Sequence, residues 1–336
     1  VCQAFLLGTA PRDQNGTPFV SGSTIYVVGN TPSQARDLWS LDANSPSNLN
    51  AISGAPTALS VSDTGFCILG NTLFWNAYTT PASIGSCSLP SCSATTVTVV
   101  SNIPERISYG PVCDAGSNEL VWVTTDSTGA TYTVRRASTQ GANSRPVSSF
   151  AFTGSWTDWG IANTTNLFSN GRPDRLFYSH QDTTAVQSTL YYISTSTPNA
   201  SGVAISTIHG YLDLSSPLSV LANATAAIFS ANDGTTSTVY TTPLPNGTLS
   251  GAPPAFSDGA LWAGVLDANS FYGLLNNSSV APNDAVIRCP TSKCTAPAVI
   301  GRGQAGALNF TQDEKALYWV SAAAAANGFT VWKAAK

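Results

Sequence analysis

The chain has 336 residues, of which 10% are charged and 43% hydrophobic, and its 14 basic and 18 acidic side chains leave a net charge of -4. So much apolar material can bury a core, which excludes a disordered chain, and without a Lys/Arg run to neutralise a phosphate backbone nucleic acid is not an expected partner. No apolar stretch approaches the roughly 20 residues that a membrane-spanning helix needs. Numbering that starts at Val1 in a chain without methionine is what removal of an N-terminal export signal would leave. Seven cysteines in so uncharged a chain point to an oxidising, extracellular compartment.

From the N-terminus, the segment CQAFLLG reads as a strand within residues 1–8 with no inner strand before it. An apolar and aromatic motif then recurs along the chain: STIYVV at Ser23, NTLFWN at Asn71, NELVWV at Asn118, DRLFYS at Asp174, AAIFSA at Ala226, SFYGLL at Ser270 and ALYWVS at Ala316. Successive starts lie 48, 47, 56, 52, 44 and 46 residues apart, close to the roughly 40 to 50 residues of a propeller blade. The expected fold is therefore all-β, a single seven-bladed β-propeller over residues 1–336 with four strands per blade.

The second blade is expected to run as ALSVSD (58–63), TLFWNAY, IGSCSL and TVTVVS, and the sixth as LWAGVLD, SFYGLLN, AVIRCP and APAVIG. The last blade offers only ALNFTQ, ALYWVS and TVWKAA before Lys336. The N-terminal strand supplies the missing outer strand, closing the ring and removing open sheet edges.

Cys87 with Cys92 and Cys289 with Cys294 share a C-x4-C spacing at the same turn of two blades. Disulfides fit that spacing better than zinc, which favours C-x2-C with histidines nearby. Cys67 and Cys113 each precede a second-strand motif in neighbouring blades and are expected to cross-link them. Cys2 aligns with Cys294, but its counterpart to Cys289 falls at Ala334. It is left as either an intermolecular bond or a buried, inert thiol.

With the blades laid out, LFW at Leu73 to Trp75, LYW at Leu317 to Trp319 and the RCPTSKC turn resemble the YWTD-type propeller repeats of secreted proteins and the C-P-x3-C repeats of exported bacterial proteins of myxobacterial type. The Asp that completes a YWTD motif is absent from every copy. The resemblance implies the fold and no particular activity, because propellers host many functions.

The densest cluster of candidate ligand contacts is Trp156, Asp158 and Trp159 followed by His180 and Asp182. There an imidazole oriented by a carboxylate has the parts of a general base, although capping and turn formation account for the same residues. Glu105, Glu119 and Glu314 are scattered and form no glycosidase-like pair. Asp42, Asp63, Asp126 and Asp267 stand near strand ends without a calcium-loop pattern, so they read as turn formers. No metal or cofactor is expected. Trp39, Trp75, Trp122, Trp319 and Trp332 read as wedges between blades, whereas Trp262 stands nearer a loop. Sequons occur at Asn15, Asn163, Asn199, Asn223, Asn246, Asn276, Asn277 and Asn309.

The leading functional expectation is a non-catalytic extracellular propeller that binds other extracellular proteins or copies of itself, as a surface or filament component. The alternatives are a carbohydrate-binding lectin, with glycans as partners, and a polysaccharide lyase or glycoside hydrolase.

Overall fold

A computed structural model describes residues 4–10, 17–30, 36–47, 49–52, 66–77, 81–92, 97–151, 174–182, 185–212, 220–223, 225–232, 237–244, 254–256, 260–276, 285–291, 297–302, 304, 307–322 and 329–336. The recurring motif forms a strand in each of seven antiparallel sheets, the second strand in six of them and the first described strand of the fourth. β-branched and aromatic side chains suit a pleated surface that is packed on both faces, so this strand is the most deeply buried of its blade. Leu73, Leu120, Leu176 and Leu317, at equivalent places in four copies, are fully buried.

The first blade contains β2 (Thr17–Ser21), β3 (Thr24–Asn30), β4 (Arg36–Asp42) and β5 (Asn50–Ala51). The second contains β6 (Phe66–Leu69), β7 (Thr72–Ala77), β8 (Ala82–Ser88) and β9 (Val97–Ile103). Its inner strand is thus Phe66–Leu69, not the expected 58–63, which lies outside the described residues. The correction follows from turn chemistry: Leu69 pairs with Thr72 across the two-residue loop Gly70–Asn71, and Gly70 has the positive φ of 59° that so tight a hairpin uses. The same shift puts Cys67 on the inner strand instead of before the hairpin.

The third blade contains β10 (Arg106–Asp114), β11 (Glu119–Thr125), β12 (Thr131–Ser138) and β13 (Arg145–Ala151). In the fourth, the described strands are β14 (Arg175–Asp182), β15 (Gln187–Ser194) and β16 (Val203–His209). In the fifth, β17 (Tyr211–Leu212) and β18 (Val220–Ala222) are the described inner segments, both paired to β19 (Ala226–Asn232), with β20 (Ser237–Pro243) and β21 (Pro254–Phe256) beyond.

The sixth blade, β22 (Ala260–Leu266), β23 (Ser270–Asn276), β24 (Val286–Pro290) and β25 (Ala298–Gly301), follows the expected segments closely. The seventh consists of β26 (Ala307–Gln312), β27 (Ala316–Ala322) and β28 (Phe329–Ala335), completed by the N-terminal β1 (Phe5–Ala10), which pairs with β28. Ring closure by the N-terminal strand is therefore as expected, with the strand at Phe5–Ala10 instead of 1–8.

The core is a ring of clusters, each between neighbouring blades, and not a single centre. Leu7, Tyr318 and Val331 of the last blade pack on Ile25, Val27 and Leu41 of the first, and Trp122 packs on Phe74 and Ile84 of the second. Trp75, Trp122 and Trp319 are buried wedges, while Trp39 and Trp332 are half-buried. Two disulfides are described: Cys67–Cys113 joins the inner strands of blades two and three, and Cys87–Cys92 closes the turn after β8. Cys289 on β24 is also disulfide-bonded. Cys2 and Cys294 lie outside the described residues. Cys87, Cys289 and Ala334 pair across their sheets with Leu73, Phe271 and Leu317, equivalent positions of three blades, so alanine stands in the last blade where the other two carry cysteine.

Candidate functional site

One end of the ring carries the turns that join first to second and third to outer strands, and most of the described ionisable side chains work there. The turn before the second strand is built alike in three blades. Asn223 Oδ1 accepts from the N–H groups of Thr225 and Ala226, both at 2.8 Å. Asp267 Oδ1 accepts from those of Asn269 and Ser270 at 2.9 and 2.8 Å. Asp313 Oδ1 accepts from those of Lys315 and Ala316 at 2.7 and 2.8 Å. A short polar side chain that captures two backbone donors forms a turn without help from the sheet.

Burial works against the charge on Asp267 and Asp313, yet these hydrogen bonds overcome it and hold both carboxyls below their ordinary value. The Tyr318 hydroxyl donates to Asp313 Oδ2 at 2.8 Å. Burial first, then that carboxylate, pushes its ionisation up. At the opposite, second-to-third turn of blade three, Asp126 Oδ1 accepts from Thr128 Oγ1 at 2.8 Å and from the N–H of Ala130 at 3.0 Å. The Thr128 hydroxyl leads in lowering its carboxyl to about 2. Asp42 accepts from the N–H of Asn44 at 2.8 Å. Asp42, Asp126 and Asp267 are thus turn formers in fact, Asp63 lies outside the described residues, and the described residues hold no metal-binding cluster.

A basic residue recurs on the third strand opposite the residue after the buried motif position held by Leu120, Phe271 and Leu317. Arg136, Arg288 and Lys333 occupy this place, paired with Val121, Tyr272 and Tyr318. Lys333 Nζ lies 5.9 Å from the Phe5 ring centre and 5.5 Å from that of Tyr318, and donates to the Ala43 carbonyl of blade one at 2.7 Å. Arg136, with its side chain 3% exposed, pairs with Asp114 and Glu119. It also donates to the Thr195 carbonyl of blade four at 3.1 Å. Near the other end, Arg135 forms a two-point pair with Glu105 at 2.8 and 2.7 Å. Glu105 and Glu119 are partly buried, which alone would raise them, but their arginine partners hold both low. These cations staple strands and blades together.

The predicted ligand cluster is not assembled among the described residues. Trp156, Asp158 and Trp159 lie outside them. His180 and Asp182 are on β14, paired across the sheet with Thr189 and Gln187, and their side chains, like that of Trp262, are outside the description. Of the sequons, Asn15, Asn163, Asn246 and Asn277 are outside it, and Asn276 and Asn309 are placed only as backbone of β23 and β26. Asn199 is exposed in the turn after β15. A groove of about 460 Å³ opens between blades seven and one, lined by Val20, Ser23, Asn44, Asp313 and Lys315 among others.

One feature escaped sequence reasoning altogether. Six outer strands have a bulge at the same place, where Leu7, Val99, Val147, Ile205, Ala255 and Ile300 have no partner across the sheet. A bulge disrupts the ladder locally, and at three of the six the neighbouring blade takes up the carbonyl left unpaired. The N–H of Ser47 donates to Leu7 at 2.9 Å, that of Asn199 to Val147 at 2.7 Å, and that of Ala4 to Ile300 at 3.2 Å. Gly141 approaches the Val99 carbonyl so closely that any Cβ there would overlap it.

No family model and no curated protein matches the chain. Among solved structures it is similar to the β-propeller domain of the Trilobed protease from Pyrococcus furiosus, with a TM-score of 0.57 and 10% identity over 95% of this chain and 96% of that one. The likeness is one of fold. The chain is similar in the same sense to a puromycin-hydrolysing peptidase of Mycobacterium tuberculosis, with a TM-score of 0.57 and 8% identity over 91% of this chain and 48% of that one. An acylaminoacyl peptidase of Pyrococcus horikoshii gives a TM-score of 0.53 and 12% identity, over 95% of this chain and 51% of that one. The chain therefore spans about half the length of the two peptidases.

Proposed function

We propose that this chain is a non-catalytic propeller of an oxidising, extracellular compartment that serves binding and assembly, a durable surface or filament component. The observation that carries the reading is the use of its ionisable groups. Every described carboxylate with a displaced ionisation is displaced downward by hydrogen bonds or cations that hold a turn or a blade. A general acid needs the reverse, a carboxyl kept protonated toward neutral pH. The disulfides support the compartment, and the resemblance to YWTD-type and C-P-x3-C repeats supports an exported repeat protein. N-glycosylation at Asn199 belongs to the same reading.

Electron microscopy of protein from its native extracellular fraction, beside a reduced sample, tests the reading. Ordered polymers or lattices are expected, and their loss on reduction would implicate a cysteine, with Cys2 the first to substitute. Uniform monomers would overturn the assembly role, and a glycan array would then test the lectin alternative.

A further inference from the structure

Among the described residues, the large apolar side chains left exposed are Phe5 at 45%, Leu6 at 43%, Val97 at 56% and Val203 at 43%. They are not scattered. Phe5, Val97 and Val203 are each the first residue of an outer strand and each stand two residues before the bulge, at Leu7, Val99 and Ile205. One structural position, repeated on blades seven, two and four, thus presents apolar surface at the outer rim of the end that carries the third-to-outer turns. The same position holds exposed Ala298 in blade six and Arg145 in blade three.

We propose that a second copy of this chain docks on this rim, a proposal that rests on the assembly reading. Three considerations select that occupant. The patches lie two, two and three blades apart around the ring, so a peptide or small ligand covers one of them at most. Burying all three together takes a partner as wide as the ring, and a second copy has that width and the same patches. A specific interface buries on the order of 1,200 to 2,000 Å², more than one patch supplies. The outer strands concerned, FLLGTA, VTVVSNI and VAISTIH, contain no Lys, Arg, Asp or Glu, so the strands themselves bring no like charges together, and the cation beside Phe5, Lys333, is held inward by the Ala43 carbonyl. The one charge at the repeated position, Arg145, is neutralised at 2.7 Å by Glu119 of its own blade.

The bulges decide how the copies meet. The carbonyl of Leu7 is already engaged by Ser47 of blade one, and that of Val99 lies close against Gly141 of blade three, which blunts these edges against simple strand addition. The rim is left to engage through side chains, end against end.

The test is sedimentation of the full chain over a concentration series, for the wild type and for the Val97→Arg/Val203→Arg pair. Arg145 at the equivalent place in blade three shows that the fold accepts arginine there. The wild type is expected to associate, and the pair to need at least ten times the concentration for the same association, with cooperative unfolding unchanged. Equal association of both proteins would overturn the rim and leave the assembly reading standing. A wild type that stays monomeric throughout would overturn the assembly reading itself. Should arginine perturb unfolding, Val97→Ser/Val203→Ser repeats the comparison without added charge.

Discussion

The backbone N–H of Ser47 in the first blade donates to the carbonyl of Leu7 in the last, at 2.9 Å. That bond ties the closing strand to the blade on its far side, and the backbone of Gly8 must lie close to Ser47 for it to form. A Cβ at Gly8 would overlap the Ser47 carbonyl oxygen, whereas one at Gly116 would meet nothing closer than 3.4 Å. Gly8→Ala is therefore expected to destabilise by roughly 1 to 3 kcal/mol, as overpacking does, and Gly116→Ala by a few tenths or less. Urea midpoints of the two variants check this, and equal midpoints would mean that the closing strand yields freely.

The disulfides differ in the length of chain they close. Cys67 and Cys113 are 46 residues apart, Cys87 and Cys92 only 5. Loop-closure entropy assigns about 4 kcal/mol to the first and about 2 kcal/mol to the second. Cys67→Ala/Cys113→Ala is expected to lower the thermal midpoint more than Cys87→Ser/Cys92→Ser. The opposite order would show that the short link holds its turn by more than loop entropy.

What the sequence made legible was the repeat, because each second strand is buried on both faces and must write its apolar run into the chain. The sixth blade could be read strand by strand, and so could ring closure, since a missing outer strand at Lys336 matched a spare strand at Phe5. The inner strand of blade two was misplaced because ALSVSD alternates apolar and polar residues as a strand does while FCIL is a short unbroken apolar run, and the Gly70–Asn71 hairpin is what decides for FCIL. The bulges left no trace, since an extra residue at Leu7 or Val147 is an ordinary apolar residue whose carbonyl matters and whose side chain does not announce it. Of the Asp and Asn turns only Asp267, in DANSFY, is among the turn formers expected from the sequence; DEKALY and ANATAA carry the same kind of signal at Asp313 and Asn223, and the recurrence emerges only once the blades are aligned in space.

Acid should loosen the fold in a defined window. A carboxylate held below its unfolded value stabilises fully above that value and loses its contribution as pH falls toward its folded one. For Asp126 the fall is from 3.8 to about 2, and Asp267, Asp313, Glu105 and Glu119 are displaced in the same direction. Stability is expected to be level above about pH 5 and to drop steeply between roughly pH 4 and pH 2. Asp126→Asn keeps an acceptor but no ionisation, so its acid limb should be shallower than that of the wild type. Parallel limbs in a urea-midpoint series would show that the Asp126 turn is already open in the folded state.

Two sequons predict opposite occupancies. Asn199 is exposed, with its backbone fixed by the bond to Val147. Asn223 is part-buried, its Nδ2 donates to the Asp267 carbonyl of the next blade at 2.8 Å, and its Oδ1 holds the turn. A glycan on Asn223 Nδ2 would have to displace that inter-blade contact. Folded protein secreted from a eukaryotic host should therefore carry glycan at Asn199 and little at Asn223. Glycopeptide mass spectrometry measures both, and full occupancy of Asn223 would show that its contact to Asp267 is dispensable.

Arg136 is the cation whose loss should cost most. Its side chain is 3% exposed and serves Asp114, Glu119 and the Thr195 carbonyl at once, so removing it takes the cation from Asp114, leaves Glu119 to Arg145 alone and removes a donor from the Thr195 carbonyl at the junction of blades three and four. Breaking a buried pair from one side costs roughly 3 to 5 kcal/mol, and Arg136→Met is expected to fall in that range. Arg136→Lys should recover little, because a single ammonium cannot reproduce the planar fork that reaches two carboxylates and a carbonyl together. The control is Arg145→Met, since Arg145 pairs with the same Glu119 but is 47% exposed, where an exposed pair contributes about 1 kcal/mol or less. Urea midpoints for the three variants decide it: a similar loss for Arg136→Met and Arg145→Met would place the stabilisation in the charge of Glu119 and not in the buried staple between blades.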